Sequence, residues 1–196
     1  MAGTPGFRIE WTTDVGRLVA IEPQLTNVAA HAVELAAGYN EPENARLMGH
    51  AEPISETEVL EHYALLLDEG ARPFLLYLDG KLVGDADLRG MRDGAAEFAF
   101  MIAKRDLQGK GLGTKFAIML HAYAFGTLGL DRVYASIVPK NHASRRVFEK
   151  LGYTLDDSAE ARAFADEAGD VTMVIDRETF ERAHRAALEQ LSVAVR

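Results

Sequence analysis

The apolar positions change their spacing along the chain, and each change marks an element. Residues 17–23 (RLVAIEP) form a short apolar run that predicts a strand. Thr26 is read as the cap of a helix to about Ala37, before Gly38 and Asn40 stop it. Residues 40–53 read as a loop. Ser55, with Glu58 three residues later, forms a capping box. The helix it opens repeats Val59, Tyr63, Leu66 and Leu67 at helical spacing, to about Asp68.

The period then shortens to that of strands. Residues 73–78 are a continuous apolar run, and Asp79-Gly80 is a strong two-residue hairpin signal. Residues 81–89 return, 90–94 turn, and 95–103 run out again as the third strand of a meander. Along that third strand Glu97, Ala99 and Met101 share one face, and Phe98, Phe100 and Ile102 the other. After a glycine-rich stretch at 107–113, residues 114–128 predict a helix with Phe116, Met119, Leu120 and Tyr123 on one stripe. Gly129 ends it. A strand at 132–138 and a helix at 141–151, stopped by Gly152, follow. Two short strands at 153–155 and 171–175 flank a polar loop. A last helix at 177–191 carries Phe180, Ala183, Ala187, Leu188 and Leu191 on its apolar side.

A meander followed by strand–helix–strand crossovers implies an α/β chain with a mixed sheet and helices on both faces. No linker is visible. Residues 1–196 are therefore expected to form one domain, with its core at about 17–175 and a C-terminal helix at about 177–191.

Composition narrows the function. A chain of 196 residues can bury roughly 70% of its unfolded surface. No apolar run reaches the roughly 18 residues of a membrane span. The first ten residues lack the basic-then-apolar pattern of a signal peptide. There is no cysteine, which excludes disulfides, thiolate metal sites and a cysteine nucleophile. A cytoplasmic location is expected. The net charge of -9 argues against nucleic acid as a partner and leans weakly toward cationic ones. Simple solubility is the plainer reading of that charge. The histidines (31, 50, 62, 121, 142 and 184) show no ligand spacing, so no metal is expected. No G-x-S-x-G elbow is present.

The informative segment is 104–114, KRDLQGKGLGT, which follows a strand and opens a helix. Gly109, Gly111 and Gly113 let the backbone turn tightly and approach a ligand. The helix start points free N–H groups and about half a positive charge outward, which is a phosphate cradle. Lys104, Arg105, Lys110 and Lys115 stand against one nearby acid, Asp106. Two phosphate motifs fail here. A P-loop needs G-K-[ST] after its last glycine, and Gly113 is followed by Thr114 and then Lys115. A G-x-G-x-x-G fingerprint would need glycine at Thr114 or Phe116.

Gln108-x-x-Gly111-x-Gly113 resembles the Q/R-x-x-G-x-G/A pyrophosphate motif of the GNAT acetyltransferases. A second stretch, from Asn141 through Ser144 and Phe148 to Gly152-Tyr153, is similar to that family's asparagine, helix and G-F/Y segment. The likeness spans roughly residues 17–175 and is nearest the subgroup that acetylates ribosomal-protein N-termini, whose members include drug and small-amine acetyltransferases. The resemblance implies acetyl-coenzyme A as cosubstrate, no metal, and acetyl transfer to a primary amine on a peptide or small molecule. It places the pantetheine arm along Met101, Ile102 and Ala103, by strand addition. The pyrophosphate falls on the amides of Gly109, Lys110, Gly111, Leu112, Gly113 and Thr114, with Gln108 opening the loop. Asn141 faces the pantetheine and Phe148 flanks the cofactor; Asn141 also suits a helix N-cap.

The chemistry needs a neutral amine, a polarised carbonyl and a stabilised thiolate. A lysine-like amine of pKa ~10.4 needs roughly 4–5 kcal/mol to be neutral at pH 7. Without cysteine, direct attack in a ternary complex is the economical route. Glu97 is the candidate base, or a structurally paired carboxylate. Many relatives carry Tyr where this chain has Phe148, which cannot donate a proton. Ser144, one turn earlier, is the candidate acid, with Tyr153 second. Two alternatives stay open: a non-catalytic acyl-coenzyme A sensor, and an interaction module or homodimer using the C-terminal helix. No membrane partner is expected.

Overall fold

The computed structural model describes residues 6–49 and 52–195. His50 and the first five residues fall outside that range. Among the described residues, nine strands form one sheet in the order β7-β8-β6-β5-β4-β3-β2-β1-β9. They are β1 Phe7–Thr13, β2 Gly16–Ile21, β3 Arg72–Leu78, β4 Lys81–Arg92, β5 Ala95–Ile102, β6 Arg132–Ile137, β7 Thr154–Leu155, β8 Val171–Asp176 and β9 Ser192–Val195. The helices are α1 Leu25–Tyr39, α2 Pro42–Met48, α3 Glu56–Asp68, α4 Leu112–Gly126, α5 His142–Leu151, α6 Ala159–Arg162 and α7 Arg177–Leu188. No helix among the described residues is long and apolar enough to cross a membrane.

Two Asp-Gly turns build the meander. At Asp79-Gly80 and Asp93-Gly94 both residues take positive φ, 49° and 78° in the first, 49° and 73° in the second. That matches the twist two-residue hairpins require. Every pair in the sheet is antiparallel except β5 with β6, which are joined through α4. α4, α5 and α7 cover one face, packing Phe116, Leu120, Phe148 and Phe180 against Phe98, Val133 and Ile175. α1 and α3 cover part of the other face, with Val28, Leu35, Val59 and Tyr63 on Leu75, Leu82 and Met101. Farther along that second face, α6 and the turn after it bring Ala161 and Phe164 onto Ala95 and Tyr134. The Tyr134 and Phe164 rings stack 4.5 Å apart. Between these two patches the sheet is left uncovered by helices.

Several expected boundaries move. β1 precedes the first predicted strand, and its Ile9 is fully buried in the core. α1 is capped by Gln24 and Asn27 instead of Thr26, and it runs through Gly38 to Tyr39. The predicted loop at 40–53 contains α2, whose N-cap Glu41 accepts from the Asn44 amide. β4 continues past Arg89 to Arg92, because Gly90 at φ 60° accommodates a register shift. The last helix stops at Leu188, and Leu191 leads into β9, which pairs with β1. The polar loop after β7 holds α6.

His121 lies fully buried on α4. Its Nδ1 donates to the Ala117 carbonyl at 2.7 Å, and its Nε2 accepts from the Tyr153 hydroxyl at 2.5 Å. That tautomer satisfies the neutral ring. Burial pushes the His121 pKa down to about 4. The unfolded chain, with an ordinary value of about 6.5, therefore binds the proton first. The stability held by the neutral ring is complete above about pH 6.5 and is lost as pH falls toward 4. Comparing wild type with His121→Gln by urea unfolding, the gap at pH 7 should shrink by roughly 2 kcal/mol at pH 4.5. A gap independent of pH contradicts this.

Candidate functional site

The site begins where two strands part. β5 and β6 pair only from Ala95–Arg132 to Glu97–Tyr134, whereas β6 stays paired with β8 as far as Ile137–Val171. Beyond Glu97 one side of β5 has no strand neighbour. Ala103 donates to the Val83 carbonyl on the β4 side at 2.8 Å. By the two-residue alternation, the backbone groups of Phe98, Phe100 and Ile102 turn toward the split, where the Ile102 carbonyl already accepts from Gln108 at 2.7 Å and its N–H is left. An extended ligand carrying amides can add there as a strand.

The glycine loop lies at the end of β5. Gly109 and Gly111 take φ of 73° and 80°, which disfavours any side chain. Gly111 is the N-cap of α4 and gives no side-chain cap. The first helical bond runs from Lys115 to the Gly111 carbonyl at 3.1 Å. The amides of Leu112, Gly113 and Thr114 therefore precede the helical ladder and point along its positive end. Gly113 also lets α4 approach closely, since a Cβ there would sit 2.9 Å from the Phe100 ring. A groove of about 340 Å³ runs past Gln108, Gly109, Gly111, Gly113 and Thr114. These features suit a pyrophosphate followed by a narrow arm. On the far wall α5 adds Arg146 and Lys150, four apart on one face.

A second cavity, of about 470 Å³, opens on the uncovered part of the sheet. Its floor is β4 and β5, with Asp85, Asp87 and Arg89 alternating onto one face. Asp85 accepts from Tyr63 at 2.8 Å and from Tyr39. Burial raises its pKa, against the pull of those two hydroxyls. Asp87 sits opposite the small Ala99. Its Oδ1 is buried and has no hydrogen-bond partner, and Arg89 Nε is 3.7 Å away. Burial, opposed by Arg89 and aided by Asp85 and Glu97, pushes its pKa up to about 7. Glu58, Asp166 and Asp170 complete an acidic lining. Leu47, Met48, Phe100, Met101, Asn141 and Ser144 line both spaces, so the groove and the cavity meet at the split.

The expected site residues divide accordingly. Gln108, Gly109, Gly111, Gly113, Thr114, Met101 and Ile102 border the groove. Lys110 does not line it, and the Leu112 side chain is buried in the core, which leaves its amide as its contribution. Ala103 does not border the groove: its N–H is spent on Val83 and its carbonyl accepts from Asn44 at 3.0 Å. Asn141 caps α5 by accepting from the Ser144 amide at 3.0 Å while lining both spaces. Phe148 packs against Phe98, Phe100 and Tyr153 and borders the cavity. Tyr153 is a core residue tied to His121, and burial raises its pKa far above the ordinary tyrosine value.

Glu97 is buried and holds Arg89 with both oxygens, at 3.0 and 3.1 Å. It does not line the cavity. The local excess of positive charge on the loop is also smaller than the linear sequence suggests. Lys104 pairs with Glu34, Arg105 with Glu41 and Lys115 with Asp14. Asp87 is not among the residues expected from the sequence. Its signal was available as two acids spaced by two in an apolar strand, Asp85-Ala86-Asp87. Among the described residues, no group of three His, Asp or Glu side chains is gathered to hold a metal ion.

Residues 24–154 match the family model of an acetyltransferase (GNAT) domain. The chain is 30% identical over 91 residues to spermidine N(1)-acetyltransferase of Escherichia coli strain K12, covering 45% of this chain and 48% of that protein. The curated relatives it matches are each spanned over less than half of their length. Among solved structures, the aminoglycoside acetyltransferase AAC(6')-Ib in complex with coenzyme A has a TM-score of 0.69 at 21% identity, over 85% of this chain and 99% of that one. Mycobacterium smegmatis RimJ, in complex with CoA-disulfide, has a TM-score of 0.69 at 18% identity, over 94% and 96%. Likeness at these identities speaks for the fold. The family model, matching most of the chain and taking in both the glycine loop and α5, identifies this protein as a member of the GNAT acetyltransferase family.

Proposed function

We propose that this protein transfers the acetyl group of acetyl-coenzyme A to a primary amine on a small polycationic molecule. The observation that carries this is Asp87, whose buried Oδ1 accepts no hydrogen bond and has only Arg89 at 3.7 Å, at an acidic cavity opening onto the phosphate groove. One continuous sheet from β7 to β9 supports reading the chain as one acetyltransferase domain.

The bound cosubstrate supplies the activated acetyl thioester. This chain's residues do the rest. The amides of Gly109 to Thr114 and the charges of Arg146 and Lys150 hold the pyrophosphate. The backbone groups of Phe98 and Phe100 and the N–H of Ile102 align the arm, and one of these N–H groups polarises the carbonyl. Asp87 draws the ammonium of the acceptor into the cavity and takes its proton. Its raised pKa suits a base working near neutral pH. Asp85, held by Tyr39 and Tyr63, keeps that corner negative. The Glu97–Arg89 pair replaces Glu97 as base: it positions Arg89, which also donates to Asp166 at 2.9 Å. Ser144, where groove and cavity meet, is the group placed to protonate the departing thiolate. With no cysteine in the chain, the amine attacks directly. The missing hydroxyl at Phe148 favours the second reading, a non-catalytic acyl-coenzyme A sensor. Turnover with an amine panel decides between them.

Three outcomes are expected. Gly111→Asp should weaken coenzyme A binding at least about 100-fold in calorimetry, through backbone strain at φ 80° and a negative charge at the helix start. Affinity within threefold of wild type contradicts the groove assignment. Asp87→Asn should lower kcat/KM about 100-fold at pH 7 and remove the rise of kcat/KM centred near pH 7. An unchanged pH profile moves the base elsewhere. Spermidine should exceed propylamine in kcat/KM by at least about tenfold, an advantage reduced by added salt and by Asp166→Asn. Equal use of both amines rejects the polycation reading.

A further inference from the structure

α2 is the wall shared by the groove and the acidic cavity. Leu47 and Met48 line both spaces. A seven-residue helix on the surface has little packing of its own to hold it. Its one buried side chain is Asn44, only 4% exposed. The bonds of that amide run to three different elements. Its Nδ2 donates to the Gly38 carbonyl in α1 at 2.9 Å and to the Ala103 carbonyl beyond β5 at 3.0 Å. Its Oδ1 accepts from Gln108 Nε2 at 2.9 Å.

Gln108 is the residue from which the phosphate loop starts. The same Nε2 donates to the Ile102 carbonyl at 2.7 Å, and its Oε1 accepts from Arg105 at 2.8 Å. Two primary amides thus join the loop, the end of β5 and the cavity wall in one chain of bonds. The crossing is tight as well: a Cβ on Gly38 would lie 2.6 Å from the Ala103 Cβ. A shift of the loop at Gln108 is therefore passed to α2 through the amide pair, because Asn44 has no slack on its other side. A buried, fully bonded polar network of this kind favours one arrangement and penalises others.

From this we infer that Asn44 is a positioning residue: through its bond to Gln108 it links occupancy of the phosphate loop to the order of α2, and so to the wall against which the acceptor binds. The inference rests on the reading of the groove as the coenzyme A site. Coenzyme A then tightens the acceptor cavity before the amine arrives, and by reciprocity a bound amine tightens coenzyme A.

Backbone hydrogen exchange, followed with and without saturating coenzyme A, tests this on the intact chain. In wild type, coenzyme A should slow exchange at 109–114 and also at 42–48. In Gln108→Ala, Asn44 keeps its bonds to Gly38 and Ala103, so exchange of α2 without ligand should match wild type. At concentrations that saturate this variant, protection at 109–114 should persist while that at 42–48 disappears. In a double-mutant cycle, Asn44→Ala and Gln108→Ala should each weaken coenzyme A, and the double variant should be no weaker than the weaker single one. Coenzyme A protection of 42–48 in Gln108→Ala, or strictly multiplicative losses in the cycle, overturns the coupling alone. Failure of coenzyme A to bind wild type overturns the groove reading and this inference with it.

Discussion

The early end of one strand pairing governs this molecule. Among the described residues, β5 and β6 are the only parallel neighbours in the sheet, and they stay together for three residue pairs. Each then follows its other partner, β5 with β4 and β6 with β8. Unpaired backbone groups in a protein interior are costly. Here they face a groove that an amide-bearing ligand can fill. The crossover between the two strands must pass through α4, so the positive end of that helix arrives beside the opening. Phosphate cradle and strand-like slot are thus two results of one topological fact.

The charges are arranged around the same opening. α5 turns Arg146 and Lys150 toward the phosphate side, while β4 places Asp85 and Asp87 on the opposite side. Most of the loop's own cations are matched by acids from α1, the cap of α2 and the β1–β2 turn. The field at the groove owes more to the helix start and to α5 than to the lysines nearest in sequence. On the acidic side, Asp87 keeps an oxygen that accepts no hydrogen bond, with Arg89 at 3.7 Å, while both oxygens of Glu97 are committed to Arg89. In a low-dielectric corner that contrast separates a group able to exchange a proton from one committed to holding Arg89.

Much of this was legible in the sequence, for reasons that differ by element. The meander was plain because Asp79-Gly80 has one good backbone solution, and the loop at 108–114 because three glycines between a strand and a helix have few other uses. β1 has the alternation of a strand, Phe7, Ile9 and Trp11, yet its burial depends on pairing with β2 and β9. α2 was hidden because its stability comes from Asn44 and its contacts with distant segments, whereas local periodicity over seven residues carries little signal. The Glu97–Arg89 pair follows from the register across the hairpin. That register depends on a bulge near Gly90 which spacing alone did not reveal.

The amides at the start of α4, and those facing the split of β5, are the groups placed to receive a coenzyme A molecule. Titration of coenzyme A into isotope-labelled protein, read as backbone amide shifts, addresses this placement most directly. The largest shifts should fall at Gly109 to Thr114 and at Phe98, Phe100 and Ile102, with Glu97, Ala99 and Met101 moving less. Shifts confined to other elements, or spread evenly along both registers of β5, would contradict it.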